Sequence, residues 1–172
     1  MPLNAFADWL HATPFSQTIQ SVFWIVPLVQ SIHIVMIGIV FMSSVVIALR
    51  VLGHMRADEP FSAVWARFAP WLWGAFVAMI LTGILMIIGE PGRQFGALSF
   101  WIKMTLVLIA VLTATGLGAL MKSAPHDAST PLRGPARPMA VGLIVLWLAI
   151  VFLGRAIAYD VEVWGQLSPH AS

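Results

Sequence analysis

Cysteine is absent from this chain of 172 residues, which excludes disulfides, thiolate metal sites and covalently attached c-type haem. Charge is also scarce, because Asp, Glu, Lys and Arg together make up 9% of the residues, against about 25% in an ordinary soluble domain. Hydrophobic residues account for 60%. This composition excludes a soluble globular protein, a disordered chain and a protein that binds nucleic acid.

The few charges leave four long uncharged stretches. No Asp, Glu, Lys or Arg occurs in residues 9–49, 68–89, 104–121 or 138–154. Since a bilayer core of about 30 Å is crossed by about 20 apolar residues in a helix, each stretch predicts one membrane span. Spanning strands would need alternating segments of about 10 residues, and these runs are continuous and longer. The sequence therefore predicts an all-α integral membrane protein, an antiparallel four-helix bundle with residues 1–172 forming a single membrane domain.

A shorter apolar pattern precedes the first span. Within residues 3–12, Phe6, Trp9 and Leu10 share one helical face, which predicts a short interfacial helix lying on the membrane. Thr13-Pro14 ends this helix, and Ser16 is the candidate N-cap of the first span. The spans are predicted at about 22–49, 68–89, 100–121 and 138–158, with a cytoplasmic loop at 123–137.

The distribution of basic residues predicts the orientation. Six of them flank the two loops on one side of the bundle: Arg50, Arg56, Arg67, Lys122, Arg133 and Arg137. The other side has three: Arg93, Lys103 and Arg155. Because cytoplasmic loops carry the excess of Lys and Arg, both termini are expected on the outer, periplasmic side of a bacterial inner membrane.

His33 is the one titratable residue deep in a predicted span. It lies 11 residues into the first span, which is roughly 16 Å of helical rise. Gln30 precedes it by one turn on the same face. An ionisable residue at such a depth indicates a functional site, and a neutral imidazole is a metal ligand. The alternative is a neutral histidine that is hydrogen-bonded by Gln30 or by a neighbouring helix.

Two cations are predicted nearer the outer surface. Lys103 begins the third span and Arg155 ends the fourth, each roughly 5 Å below the outer interface. Tyr159 follows Arg155 by one turn. A b-type haem has an iron that takes an axial histidine and two anionic propionates. We therefore expect His33 as axial ligand, with Lys103 and Arg155 paired to the propionates. The alternative for both cations is an extended side chain reaching the lipid headgroups.

A second axial ligand is harder to place. The other histidines, His11, His54, His126 and His170, lie outside the predicted membrane core. Met79 has a depth similar to that of His33, roughly 15 Å, and a His/Met pair is a known haem ligation. Methionine also commonly fills gaps in packed cores. A five-coordinate iron and a haem held by the His33 residues of two protomers are further alternatives.

Three other functions could involve the same residues. Copper(I) suits imidazole and thioether ligands, which His33 and Met36, Met79, Met86 or Met104 could supply. A quinone could be bonded by His33 or Tyr159. A structural or assembly subunit would hold no cofactor. Two rows of small residues predict close packing within the bundle, or else a homo-oligomer interface: Ala110, Ala114 and Gly118, and Gly74, Ala78 and Thr82.

A family resemblance covers nearly the whole chain. Trp9-x-x-x-Thr13-Pro14-x-Ser16, Gln30-Ser31-x-His33, Leu49-Arg50-x-Leu52-Gly53, Phe100-Trp101-x-Lys103 and Gly154-Arg155-x-x-Ala158-Tyr159 resemble motifs of an uncharacterised family of small bacterial four-helix inner-membrane proteins. The arrangement is more distantly similar to copper-resistance D-type and cytochrome b561-like membrane proteins, which use intramembrane histidines for copper or haem. This sequence lacks the paired histidines on two helices of the b561 pattern.

The resemblance implies that His33, Lys103 and Arg155 form one motif set. The depths and chemistry of these residues, and not the resemblance, lead us to expect a membrane redox protein, or the membrane anchor of a redox complex, with one b-type haem in the outer half of the bundle. The lipid bilayer and a redox partner on the outer side are then the expected partners.

Overall fold

The computed structural model describes residues 2–124, 132 and 134–167, and within them it is all-α. The helices are α1 (Pro2–His11), α2 (Pro14–Ser21), α3 (Ile25–Leu52), α4 (Phe61–Gly89), α5 (Pro91–Phe95), α6 (Leu98–Lys122), α7 (Ala136–Ala156) and α8 (Asp160–Trp164). Short 3₁₀ turns at Ile157–Tyr159 and Gly165–Leu167 flank α8. His126, Arg133 and His170, and most of the predicted loop 123–137, lie outside the described residues.

Four helical stretches are long and apolar enough to cross a membrane: Ile25–Leu52, Phe61–Gly89, Leu98–Lys122 and Ala136–Leu167. The predicted four-helix membrane fold is therefore confirmed. The helices extend beyond the uncharged stretches, since Arg67 lies inside α4 and Lys122 is the last residue of α6. Charged side chains are tolerated in terminal turns because they reach water or headgroups.

The chain divides into two compact units. One contains residues 1–36, 77–105 and 151–172 and is called the termini unit; the other contains residues 37–76 and 106–150 and is called the loop unit. Each long helix begins in one unit and ends in the other, and successive long helices begin in alternate units. Consecutive long helices are therefore antiparallel. That residues 1–172 form one membrane domain stays a prediction.

In the loop unit, Arg50 stabilises the turn between α3 and α4. Its side chain is 3% exposed, and its Nε and Nη2 donate to the backbone carbonyl of Glu59 at 2.9 and 2.6 Å. The guanidinium also lies 3.8 Å from the ring centre of Phe61. The Glu59 carboxylate pairs with Arg56 and Arg67 at 2.6 and 3.1 Å. Basic residues that predicted the topology thus also hold this turn together.

In the termini unit, the segment before α3 is more ordered than the sequence predicted. Thr13 caps α2, because its Oγ1 accepts a hydrogen bond from Ser16 N at 3.3 Å, and Pro14 begins the helix. The interpretation of Ser16 as an N-cap is therefore wrong. Ser16 is fully buried, and its Oγ donates to the carbonyl of Ile88 at 2.6 Å.

The start of α6 is capped by a residue far away in the sequence. The buried carboxylate of Asp160 accepts hydrogen bonds from the backbone N–H groups of Leu98 and Ser99, at 3.0 and 2.9 Å. The indole N–H of Trp164 donates to Ser99 Oγ at 2.8 Å. An anion at a helix N-terminus satisfies its free N–H groups and complements the helix dipole. This contact fixes α8 against the helix that carries Lys103.

Candidate cofactor site

His33 lies in the termini unit, and its partner is on a neighbouring helix. The half-buried imidazole of α3 contacts α4, where its Nδ1 lies 2.8 Å from Thr82 Oγ1. Gly83 is also beside the ring, since a Cβ built at that position would lie 3.4 Å from His33 Cε1. The ring therefore packs against α4 at a point where the helix has no side chain.

The hydrogen bonds of Thr82 favour one tautomer of a neutral His33 ring. The Thr82 hydroxyl donates to the carbonyl of Ala78 at 2.8 Å, with that of Met79 at 3.1 Å. A hydroxyl has one hydrogen, so the Thr82 oxygen that donates to a carbonyl acts towards His33 as an acceptor. Nδ1 of His33 then carries the hydrogen, and Nε2 has a free lone pair.

Nε2 is the open coordination position of this site. Within the described part of the chain, no protein group forms a hydrogen bond with His33 Nε2. Histidines that bind metals almost always donate their other ring N–H to a nearby acceptor, which orients the ring. His33 and Thr82 have this arrangement, with Nε2 as the nitrogen able to bind an iron or copper ion.

Met79 lies one helical turn before Thr82 on α4. Its side chain is 7% exposed, and the three-residue spacing places it on the same side of the helix as Thr82. The two residues are linked through the backbone, because the Met79 carbonyl lies near the Thr82 hydroxyl. The structure thus places Met79 on the helix that holds the His33 ring, with its thioether in the protein interior.

Lys103 and Arg155 lie in the same unit as His33. Lys103 is half-buried on α6, within range of a Coulombic interaction with His33, and its Nζ is 5.8 Å from the ring centre of Phe100. Arg155 is exposed in the last turn of α7, with its guanidinium 5.8 Å from the ring centre of Tyr159. Both distances are near the outer limit of about 6 Å for a cation–π contact.

Neither cation has an acidic partner among the described residues. By contrast, Arg93, which lies in the same unit, forms a salt bridge with Glu90 at 2.8 Å. Lys103 and Arg155 are therefore two cationic side chains with which the anionic groups of a ligand could pair.

The predicted site residues are therefore only partly brought together. His33 contacts Thr82 on the helix that carries Met79, Lys103 lies within coulombic range of His33, and Arg155 contacts Tyr159. Gln30 is exposed and forms no hydrogen bond with His33 in the described structure. The hydrogen-bonding partner of His33 is therefore Thr82 on a neighbouring helix, and not Gln30.

Sequence reasoning missed Thr82 as a site residue, because it was grouped only with small residues that allow close packing. The available signal was its polarity within an otherwise apolar stretch of α4. The described residues contain no group of three or more His, Cys, Asp or Glu side chains that could hold a metal ion. A metal at His33 would therefore depend on ligands of another kind, such as a porphyrin ring or thioethers.

One comparison with known proteins identifies the family of the chain. The model described as "Family of unknown function (DUF6644)" matches residues 7–160, so the chain belongs to this family. No curated protein and no solved structure matches the chain.

Proposed function

We propose that this member of the DUF6644 family binds one b-type haem in its termini unit and acts as a membrane redox protein or as the membrane anchor of a redox complex. The observation that carries the proposal is the His33–Thr82 pair, in which Nδ1 is held by Thr82 Oγ1 at 2.8 Å and Nε2 is left open. This geometry is typical of an axial ligand with an oriented ring.

The residues present fit a haem in their donor chemistry. A haem needs one or two axial ligands from the protein, because the porphyrin supplies four nitrogens. His33 Nε2 is one such ligand, and the buried Met79 thioether is the candidate for the second. The absence of a three-residue His, Cys, Asp or Glu cluster in the described structure is compatible with this ligand set.

The unpaired cations fit the propionates. Lys103 and Arg155 would each neutralise one propionate in the same unit as His33. Tyr159, whose ring contacts Arg155, would limit the positions of that guanidinium. A cofactor with one iron and two anionic arms thus accounts for an open imidazole nitrogen and two unpaired cations together.

The protein's part in the redox chemistry is to position and tune the group. Thr82 holds the proton on His33 Nδ1 and fixes the ring plane, while Gly83 leaves space for the ring beside α4. Lys103 and Arg155 add positive charge, which favours the reduced state of a nearby redox centre. Bound haem would supply a one-electron iron couple.

The proposed location is a bacterial inner membrane, with both termini on the periplasmic side. The excess of Lys and Arg at the opposite loops supports this orientation. The site would then lie nearer the periplasmic surface, and a redox partner would approach from that side. With one haem, electrons would be exchanged at one membrane face.

The test is an absorption spectrum of the detergent-purified protein, oxidised and dithionite-reduced, with metal analysis of the same sample. We expect a Soret band and a reduced α-band in the wild type, and loss of both in His33→Ala. Lys103→Gln should retain the bands but release haem more readily during gel filtration, because one propionate loses its counter-ion.

His54→Ala is the matched control, because His54 lies in the turn of the loop unit. Its spectrum should equal that of the wild type. A featureless spectrum from haem-replete cells would contradict the proposal. Bound copper that disappears in His33→Ala would then indicate the copper function, and a protein without metal would indicate a structural subunit or a quinone site.

A further inference from the structure

The loop unit has a groove whose lining residues do not include His33 or its contacts. It is shallow and largely open to its surroundings, with a volume of about 420 Å³. One face of α4 and the end of α6 form it. The lining residues are Ser62, Trp65, Ala66, Ala69, Pro70, Trp73 and Lys122.

The walls of the groove are shaped by close packing of one indole. Trp65 is 6% exposed and lies against Gly118 of α6, where a Cβ would overlap the indole ring. Gly118 therefore lets Trp65 lie close to α6. On the α4 side, Ala66 and Ala69 keep the floor open between Trp65 and Trp73.

Pro70 removes one backbone hydrogen bond of α4 beside the groove. Pro70 lies inside α4 and has no N–H, so the carbonyl of Ala66 cannot receive the usual helical hydrogen bond from position 70. Both residues line the groove. A hydroxyl or amine of a bound molecule could donate to this carbonyl, in addition to bonding with the Ser62 hydroxyl.

Charge selects the kind of ligand. Lys122 is the only charged residue that lines the groove, it is exposed, and no acidic partner for it occurs in the described part of the chain. Tryptophan and lysine at the end of a membrane span are typical of the headgroup region. Basic sites between membrane helices on the cytoplasmic side, where the charge distribution predicts this groove to lie, bind the phosphates of anionic lipids.

We propose that this groove is a specific site for an anionic phospholipid. The Lys122 ammonium pairs with the lipid phosphate, the two indoles pack against the glycerol and upper acyl chain, and the Ala66 carbonyl and Ser62 accept from a headgroup hydroxyl. Phosphatidylglycerol meets these requirements, because it combines one phosphate charge with free hydroxyl groups.

The test is native mass spectrometry of the full-length protein in a neutral detergent, titrated with dioleoyl phosphatidylglycerol or dioleoyl phosphatidylcholine. We expect the wild type to prefer phosphatidylglycerol and Lys122→Gln to lower that preference about five-fold, the effect of one lysine near an anionic headgroup. Lys122→Arg should retain it.

Arg137→Gln is the matched control, because Arg137 is an exposed cation of the same unit that does not line the groove. It should keep the wild-type preference. Ala66→Trp, which fills the groove from an exposed position, should lower the binding of phosphatidylglycerol. An unchanged preference in Lys122→Gln, equal losses in Lys122→Gln and Arg137→Gln, or full binding in Ala66→Trp would each overturn the proposal.

Discussion

At the scale of single residues, the Thr82 hydroxyl links the backbone of α4 to the His33 side chain. It donates to the Ala78 carbonyl and accepts from Nδ1 of His33, so one hydroxyl satisfies a histidine 49 residues away in the sequence. In a medium without water, an unpaired Nδ1–H would carry a large desolvation cost. Thr82 therefore acts as a positioning residue for the proposed haem ligand.

Thr82→Val removes the hydroxyl and keeps the shape of the side chain. We expect haem affinity to fall about 10–100-fold, as for other partners that orient a metal-bound histidine. The midpoint potential should shift as well, because the ligand loses the hydrogen bond at Nδ1. Haem retention in gel filtration and a redox titration measure these effects.

Thr82→Ser is the control for this change, since it keeps a hydroxyl at the same position. It should restore both the affinity and the potential. Wild-type affinity and potential in Thr82→Val would show that Thr82 does not position the ligand.

At the scale of helices, glycine acts differently at two positions that the sequence placed in similar small-residue rows. Gly118 is buried beneath the Trp65 ring, and Ala110 and Ala114 of the same row are also buried. Gly74 is exposed, and a Cβ built there would meet nothing within 4 Å. The α6 row thus packs within the chain, whereas the α4 row is open at Gly74.

Gly118→Ala should therefore destabilise the protein by about 1–3 kcal/mol, the usual cost of overpacking a filled interior. Gly74→Ala, the same substitution in open space, should leave stability unchanged or raise it by up to about 1 kcal/mol, because alanine favours helix. Denaturant unfolding in detergent, followed by circular dichroism, measures both. Equal stabilities of the two variants would contradict the close contact between Gly118 and Trp65.

At the scale of the whole molecule, the chain has the antiparallel order of four long helices, and the charge distribution predicts which side faces the cytoplasm. The absence of cysteine makes this orientation easy to measure, because any introduced thiol is the only one. Asp58 in the turn between α3 and α4 and Gln166 near the end of the described chain are both exposed, so a cysteine at either position is accessible to a labelling reagent. The charge distribution predicts that the two positions lie on opposite sides of the membrane.

A membrane-impermeant maleimide added to spheroplasts should label Gln166→Cys, and should label Asp58→Cys only after the membrane is broken. The physical reason is the excess of Lys and Arg beside the loops of the Asp58 side. Leu112→Cys in the middle of α6 should stay unlabelled in both conditions. The reverse pattern for Asp58→Cys and Gln166→Cys would show the opposite orientation.

The four long helices were predictable because hydropathy and charge spacing can be read from the sequence alone, whereas the short helices α2, α5 and α8 were not predicted. The third span, predicted at 100–121, is observed at 98–122, and the first, predicted at 22–49, is observed at 25–52. α4 begins at Phe61, earlier than the predicted start at residue 68. The prediction placed the start after the charged Arg67, but Arg67 lies inside the helix. Helix ends were less accurate, since a charge gap marks the apolar core and not the last helical residue.

The depth of His33 and the shallow positions of Lys103 and Arg155 were predicted from the sequence by helical rise, and they stay predictions. The hydrogen-bonding partners were not predicted. Thr82 bonds to His33, Ser16 to Ile88, and Asp160 caps α6 across 62 residues of sequence. These contacts depend on how the helices pack and rotate against one another, which the apolar pattern leaves open when every face of a span is hydrophobic.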